Sequence, residues 1–235
     1  MPGREGFAGL TSELVRMNLR AARRRVEEAS GRAGRGNEVR ILAATKYVSP
    51  SDMAVLREAG VRLVGENRAQ DLEEKWRLYG SDFEFHFIGH LQRNKVRKVL
   101  PLVSLVHSVD SLRLLQEIAA RAEAPARVLV EVNVAGEARK YGILPGEAEG
   151  FLERAAAYEE VDIAGFMTMA PLVEDPEEVR PVFRRLRELR DRLAPLFSPR
   201  FDLTELSMGT SRDYEVAVEE GATIVRLGST LFGRN

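Results

Sequence analysis

Short apolar segments recur along this chain, with stretches of helical spacing between them. They run from Arg40 to Lys46, Arg62 to Gly65, Phe83 to Ile88, Leu105 to Val109, Arg127 to Val134, Val161 to Met167, Leu203 to Ser207 and Thr223 to Leu227. Strand-then-helix alternation calls for a parallel sheet with crossover helices, and eight such units close most naturally as a (β/α)8 barrel. An open doubly wound sheet is the alternative, but it needs fewer strands. The expectation is therefore an α/β fold, a TIM-type barrel in a single domain over residues 1–235, a length this barrel routinely occupies. An extra N-terminal helix over about Gly9 to Ser30, with Leu10, Leu14, Met17, Ala21 and Val26 near helical spacing, is placed to cover the gap left by a chain that ends soon after Leu227.

Composition excludes several functions. With 35 basic against 36 acidic residues there is no basic excess for nucleic acid. Cysteine is absent and only three histidines occur, so disulfides and thiolate metal sites are out and no metal is expected. No apolar run is long enough to span a bilayer and no leader pattern opens the chain, so the expected location is cytoplasmic, away from membranes. Helix starts carry capping chemistry at Ser49-Pro50-Ser51-Asp52, at Asp110 before Ser111 to Ala122, and at Pro176 before Glu177 to Leu193. The Gly/Arg segment from Gly31 to Gly36 has no strand before it, so it reads as a linker rather than a phosphate fingerprint.

A barrel places function at the carboxyl ends of its strands. Those ends carry Lys46, Glu66 with Asn67, Gly89 with His90, His107 with Ser108, Asn133, Met167 with Thr168, Ser207 to Ser211, and Gly228 with Ser229. The period of two turns Glu131, Asn133 and Leu129 inward, away from the valines of their strand, and sets Lys46 on the face of Ala44 and Leu42, and Arg226 on the face of Ile224. An inward Arg226 needs partners, either an inward acid such as Glu131 or a ligand. Lysine is scarce, with Lys46, Lys75, Lys95, Lys98 and Lys140 making the full set. Lys75, Lys95, Lys98 and Lys140 sit among charged or helical-surface neighbours, whereas Lys46 closes an apolar strand. An amine desolvated there favours its neutral, nucleophilic form, the condition for a Schiff base.

Near the C-terminus, Leu206-Ser-Met-Gly-Thr-Ser-Arg-Asp213 reads as a strand, a glycine turn and the start of a helix over Tyr214 to Glu220. Gly228-Ser229-Thr230 makes a second small turn on the next strand. Adjacent hydroxyl-rich turns after strands seven and eight suit a phosphate, although plain capping by Thr210 and Asp213 explains one of them. A phosphate cradle, an inward arginine and a strand-end lysine fit pyridoxal 5'-phosphate (PLP) held as an imine.

Ala44-Thr-Lys46, Gly65-Glu-Asn67, His86-Phe-Ile-Gly89-His-Leu-Gln-Arg-Asn-Lys95, Gly165-Phe-Met167, Leu206-Ser-Met-Gly209 and Val225-Arg-Leu-Gly228-Ser, in this order and across essentially the whole chain, resemble the pyridoxal phosphate homeostasis protein family, single-domain relatives of the alanine racemase N-terminal barrel. The resemblance implies PLP as cofactor on Lys46, phosphate contacts from Ser207, Gly209, Ser211, Gly228 and Ser229, Arg226 at the pyridine nitrogen, and Asn67 and Met167 lining the pocket. Thr210 stands where the family usually has Met, adding a hydroxyl, and His90 replaces a commonly small residue or proline. Lys140 matches a loop lysine of the family.

No residue is assigned a catalytic role. Arginine cannot protonate a ring nitrogen, so PLP facing Arg226 is a poor electron sink. The family reading is a monomeric carrier that buffers PLP and passes it to PLP-requiring apoenzymes. The alternative is an enzyme, either a small racemase using Tyr47 or Tyr141 or an aldolase using Lys46.

Overall fold

The computed structural model describes residues 9–34, 36 and 38–233. Eight parallel strands close into a barrel in sequence order, β1 Arg40–Ala44, β2 Leu63–Glu66, β3 Glu84–Phe87, β4 Leu105–Val109, β5 Ala126–Glu131, β6 Val161–Met167, β7 Glu205–Thr210 and β8 Ile224–Leu227. The register Ile41 to Val225 and Leu42 to Arg226 joins β8 to β1, which rules out the open sheet. Among the described residues the helices are α1 Ser12–Arg32, α2 Met53–Glu58, α3 Ala69–Tyr79, α4 Val96–Val99, α5 Leu112–Arg121, α6 Ala148–Ala155, α7 Arg180–Phe197, α8 Tyr214–Glu219 and α9 Ser229–Phe232.

Strand period and burial agree. Val128, Val130 and Val132 join the large apolar layer between sheet and helices, while Leu42, Leu63, Leu105, Leu129, Ala164, Met167 and Ile224 fill the barrel itself. The helix α1 does cover the closure, packing on α8 and α9, with Asn18 donating to the Leu231 carbonyl at 3.1 Å. Its buried face differs from expectation. Val15, Leu19, Ala22, Val26 and Ala29 face the core, and Met17 is 60% exposed. Thr11 caps the start of α1, accepting from Leu14 N. In the segment read as a linker, Gly31 and Arg32 finish α1, Ala33 and Gly34 turn, and Arg35 lies outside the described residues.

Several strand ends also move, those of β5 and β7 the furthest. The strand β5 stops at Glu131 instead of Val134, because Asn133 N turns to the Ile143 carbonyl. The strand β7 runs on to Thr210, so Gly209 lies inside it at a register shift against β8. Gly165, within β6, sits at φ +149°, and a Cβ there would lie 1.9 Å from the Glu205 carbonyl oxygen. Strain and backbone collision add, so Gly165→Ala should lower unfolding free energy by about 3 kcal/mol. Urea denaturation measures this, and a loss below ~1 kcal/mol would contradict the close β6–β7 approach.

Candidate functional site

The carboxyl ends of β1, β2, β7 and β8 surround a cleft of about 380 Å3, within the range of small-molecule sites. Lys46, Asn67, Thr210, Ser211, Arg226, Gly228 and Ser229 line it, so seven of the residues singled out from the sequence meet in one place. Three do not. Met167 packs inside the barrel with Leu42 and Leu129. Ser207 is fully buried beneath Arg226. Gly209, at φ +91°, turns its Cα toward α8, where a Cβ would lie 2.6 Å from the Ala217 Cβ. Ser207 and Gly209 belong to a strand that continues beyond them to Thr210, and Met167, the last residue of β6, turns its side chain down into the barrel, so all three fall below or behind the rim.

Lys46 corrects the burial argument. The strand β1 ends two residues earlier, Thr45 takes the buried place, and Lys46 opens a turn above the rim as an exposed residue. Its Nζ lies 4.9 Å from the centroid of the Tyr47 ring. Lys75 is corrected in the opposite sense. It is buried, donating at 2.7 Å to the Thr45 carbonyl and at 2.5 Å to Glu66 Oε1, and Thr45 Oγ1 also donates to that carboxylate oxygen. Burial pushes the Glu66 carboxyl up, opposed by the Lys75 charge and by these hydrogen bonds. The pair ties the residues preceding Lys46 and Asn67 to one buried cation.

Arg226 forms the floor. Its NH1 group donates to the Ser207 carbonyl at 2.9 Å and to Ser207 Oγ at 2.6 Å, and its NH2 group to the Thr168 carbonyl at 2.9 Å and to Met169 Sδ at 3.0 Å. Among the described residues nothing accepts from its Nε–H, and no carboxylate is in ion-pair contact with it, Glu131 included. Burial lowers its pKa to about 10, with Asp213 and Glu131 opposing, so it is charged at neutral pH. Glu131 is buried, and its carboxyl is pushed up to about 7, by burial first and then by Asp110, against the pull of Arg226.

At the opposite wall, Ser211 Oγ accepts from Gly228 N at 3.1 Å and Thr230 N at 3.2 Å. A single oxygen thus sits at a convergence of N–H donors, and its own hydrogen remains available to an anion. Thr210 is committed elsewhere, because its N–H and Oγ1 both donate to Asp213 Oδ1. That is the capping contact weighed from the sequence, and it removes Thr210 as a free donor. Asn67 Oδ1 is buried without a partner.

Ala44, Tyr47, Ile88, Met169, Leu172 and Arg212 also line the cleft and were not singled out for it. Tyr47 and Arg212 adjoin residues that were, while Met169 and Leu172 arrive on a loop after β6 that carries no local signal. Tyr141 instead stacks on His90, ring centroids 3.9 Å apart, and His90 Nδ1 lies 3.2 Å from Asp110 Oδ2. Lys140 donates to the Met169 carbonyl at 3.3 Å and pairs with Glu137 at 2.5 Å. Among the described residues no cluster of metal-ligating side chains occurs, and no helix is long and apolar enough to cross a membrane.

A family model described as "Alanine racemase, N-terminal domain" matches residues 17–235. The pyridoxal phosphate homeostasis protein of Aquifex aeolicus is 45% identical over 214 residues, covering 89% of this chain and 93% of that one. The human protein of the same name is 35% identical over 233 residues, covering 92% and 84%. Among solved structures, PipY of Synechococcus elongatus with PLP bound superposes with a TM-score of 0.79 at 30% identity, covering 93% of this chain and 100% of that one. A lysine/ornithine decarboxylase of Vibrio vulnificus, at 15% identity and a TM-score of 0.68, shares the fold over 94% of this chain and 62% of its own. Identity over nearly the whole length, with the same barrel, makes this chain a member of the pyridoxal phosphate homeostasis protein family within the alanine racemase N-terminal domain group.

Proposed function

We propose that this single-domain barrel binds PLP in the β1–β2–β7–β8 cleft, holds it reversibly on Lys46, and buffers or supplies it without a dedicated reaction of its own. The observation that carries this reading is co-location. A lysine amine, a buried guanidinium with one N–H to spare and a turn of converging N–H donors surround one cleft. The relatives named for PLP homeostasis and the PLP-bound PipY support the same ligand.

Lys46 is the one lysine among the cleft-lining residues. Its amine adds to an aldehyde carbon and water leaves, and returning water releases the ligand. Position, not burial, qualifies Lys46, and an exposed amine suits reversible loading. Ser211, Ser229 and the Gly228 turn face the phosphate, with Arg212 adding charge beside them. Arg226 has its Nε–H left to donate to a pyridine nitrogen and cannot protonate it.

Bound PLP supplies an electron sink to amino-acid chemistry when its ring nitrogen is protonated. Arg226 withholds that proton, which favours a carrier. A racemase needs acid/base groups on opposite faces of the substrate carbon. Tyr47 lies beside Lys46, and Tyr141 is stacked on His90 rather than lining the cleft, an arrangement that argues against a racemase. The proposal places a monomer in the cytoplasm, handing PLP to apoenzymes that require it.

Titration of the purified protein with PLP tests this. One saturable visible band per chain is expected, with no inversion of alanine by chiral chromatography. Turnover of alanine, or absence of any band, would overturn the reading. Arg226→Glu should shift the band while imine formation persists, since the ring nitrogen then faces an acid; an unchanged band would place Arg226 away from the ring.

A further inference from the structure

The buried histidines form a feature that the ligand site alone does not require. Below the cleft, Ser207 Oγ lies 2.9 Å from His107 Nδ1, His107 Nε2 lies 2.9 Å from His86 Nδ1, and His86 Nε2 lies 2.8 Å from Glu84 Oε1. With the 2.6 Å bond from Arg226, these contacts run from β8 through β7, β4 and β3 to the opposite end of the barrel. Glu84 stands there, half-exposed, also accepting from Ser104 Oγ at 2.9 Å and from Arg40 at 3.4 Å.

The chemistry of the two ends fixes every proton between them. Arginine only donates, so Ser207 Oγ accepts and its hydrogen has His107 Nδ1 as its acceptor. A neutral His107 then carries its proton on Nε2 and donates to His86 Nδ1. His86 in turn carries its proton on Nε2 and donates to the Glu84 carboxylate, which only accepts. Reversing the file would leave the Ser207 hydrogen without an acceptor. It would also require a proton on both nitrogens of His86, a cation inside the barrel. Burial opposes that, pushing His86 down and His107 well down, while the His86 bond holds Glu84 ionised at about 2.

We infer that His107 is a positioning residue for Arg226, the middle of a one-way hydrogen-bond file from Arg226 through Ser207, His107 and His86 to Glu84 that locks the guanidinium in one orientation beneath the cleft. Through this file a buried cation without a direct carboxylate partner is aligned by a chain of dipoles ending on an anion. The consequence for a bound pyridine ring rests on the function proposed above; the proton positions do not.

The chain has three histidines, so nitrogen NMR of protein labelled with 15N at histidine, recorded at pH 7, resolves them. His90→Gln identifies the ring outside the file. Two neutral rings protonated on Nε2 are expected, and a charged ring or an Nδ1 proton at His86 or His107 would overturn the file. His107→Phe removes both contacts and His107→Asn keeps the acceptor toward Ser207. PLP should dissociate from the Phe variant about tenfold more readily with a displaced visible band, as expected for one lost buried hydrogen bond to a charged network, and the Asn variant should recover most of both. An unchanged band and affinity in folded His107→Phe would refute the positioning role. Should the wild type take up no PLP, the proposed function fails, and the proton positions still decide the file.

Discussion

Lys46→Ala is expected to eliminate the imine band and to weaken retention of PLP on the order of 100-fold or more, equivalent to about 2.7 kcal/mol. The fold should be untouched. Lys46 is exposed on a turn beyond the end of β1 and, among the described residues, its side chain makes no hydrogen bond or ion pair, so its truncation belongs with surface substitutions worth within roughly ±0.5 kcal/mol. Lys140→Ala is the matched control, a loop lysine whose contacts reach Glu137 and the Met169 carbonyl but which does not line the cleft. Visible spectra and dialysis of both variants make the comparison. A persistent band in Lys46→Ala would assign the attachment to another amine.

The second large effect is on stability and falls on a different lysine. Lys75→Met leaves the Glu66 carboxyl buried with Thr45 Oγ1 as its remaining side-chain partner, and Glu66 Oε2 already lacks a partner. Removing one member of a buried pair costs about 3–5 kcal/mol, because the other charge must be neutralised or exposed. The double variant Glu66→Gln with Lys75→Met should recover at least half of that loss, since it removes the stranded charge. Urea unfolding gives both numbers. A single-variant loss under ~1 kcal/mol, or no recovery in the double variant, would show that the pair does not hold the β1 and β2 ends together. Because Lys75 also bonds the Thr45 carbonyl, surviving Lys75→Met protein should show broadened resonances for Lys46 and Asn67, the residues that follow the clamp.

The barrel was legible because its signals repeat. Alternating strand and helix patterns reinforce one another, and the period of two sorted the β5 valines outward and Leu129 inward as the two cores confirm. Signals that depend on a single residue's depth were not legible. Lys46 and Lys75 exchange the environments expected of them, because a strand stopping two residues early exposes the first, and the face of α3 that meets Glu66 buries the second. Nothing in the spacing of either lysine reports those offsets. The same holds for Gly209. A glycine followed by two hydroxyl residues reads as a turn, yet here it lets β7 pass against α8, and the donors at the rim begin two residues later at Ser211. Leu172 and Met169 reach the cleft on a loop whose path only the folded chain defines.

The claim most exposed to test is that one amine, Lys46, carries the ligand. Borohydride reduction of the PLP-loaded protein, followed by proteolysis and mass spectrometry, locates the adduct directly. The account predicts a single phosphopyridoxyl group on the peptide containing Lys46. An adduct on Lys95 or Lys140, or a protein that takes up PLP yet yields no reduced adduct, would contradict it.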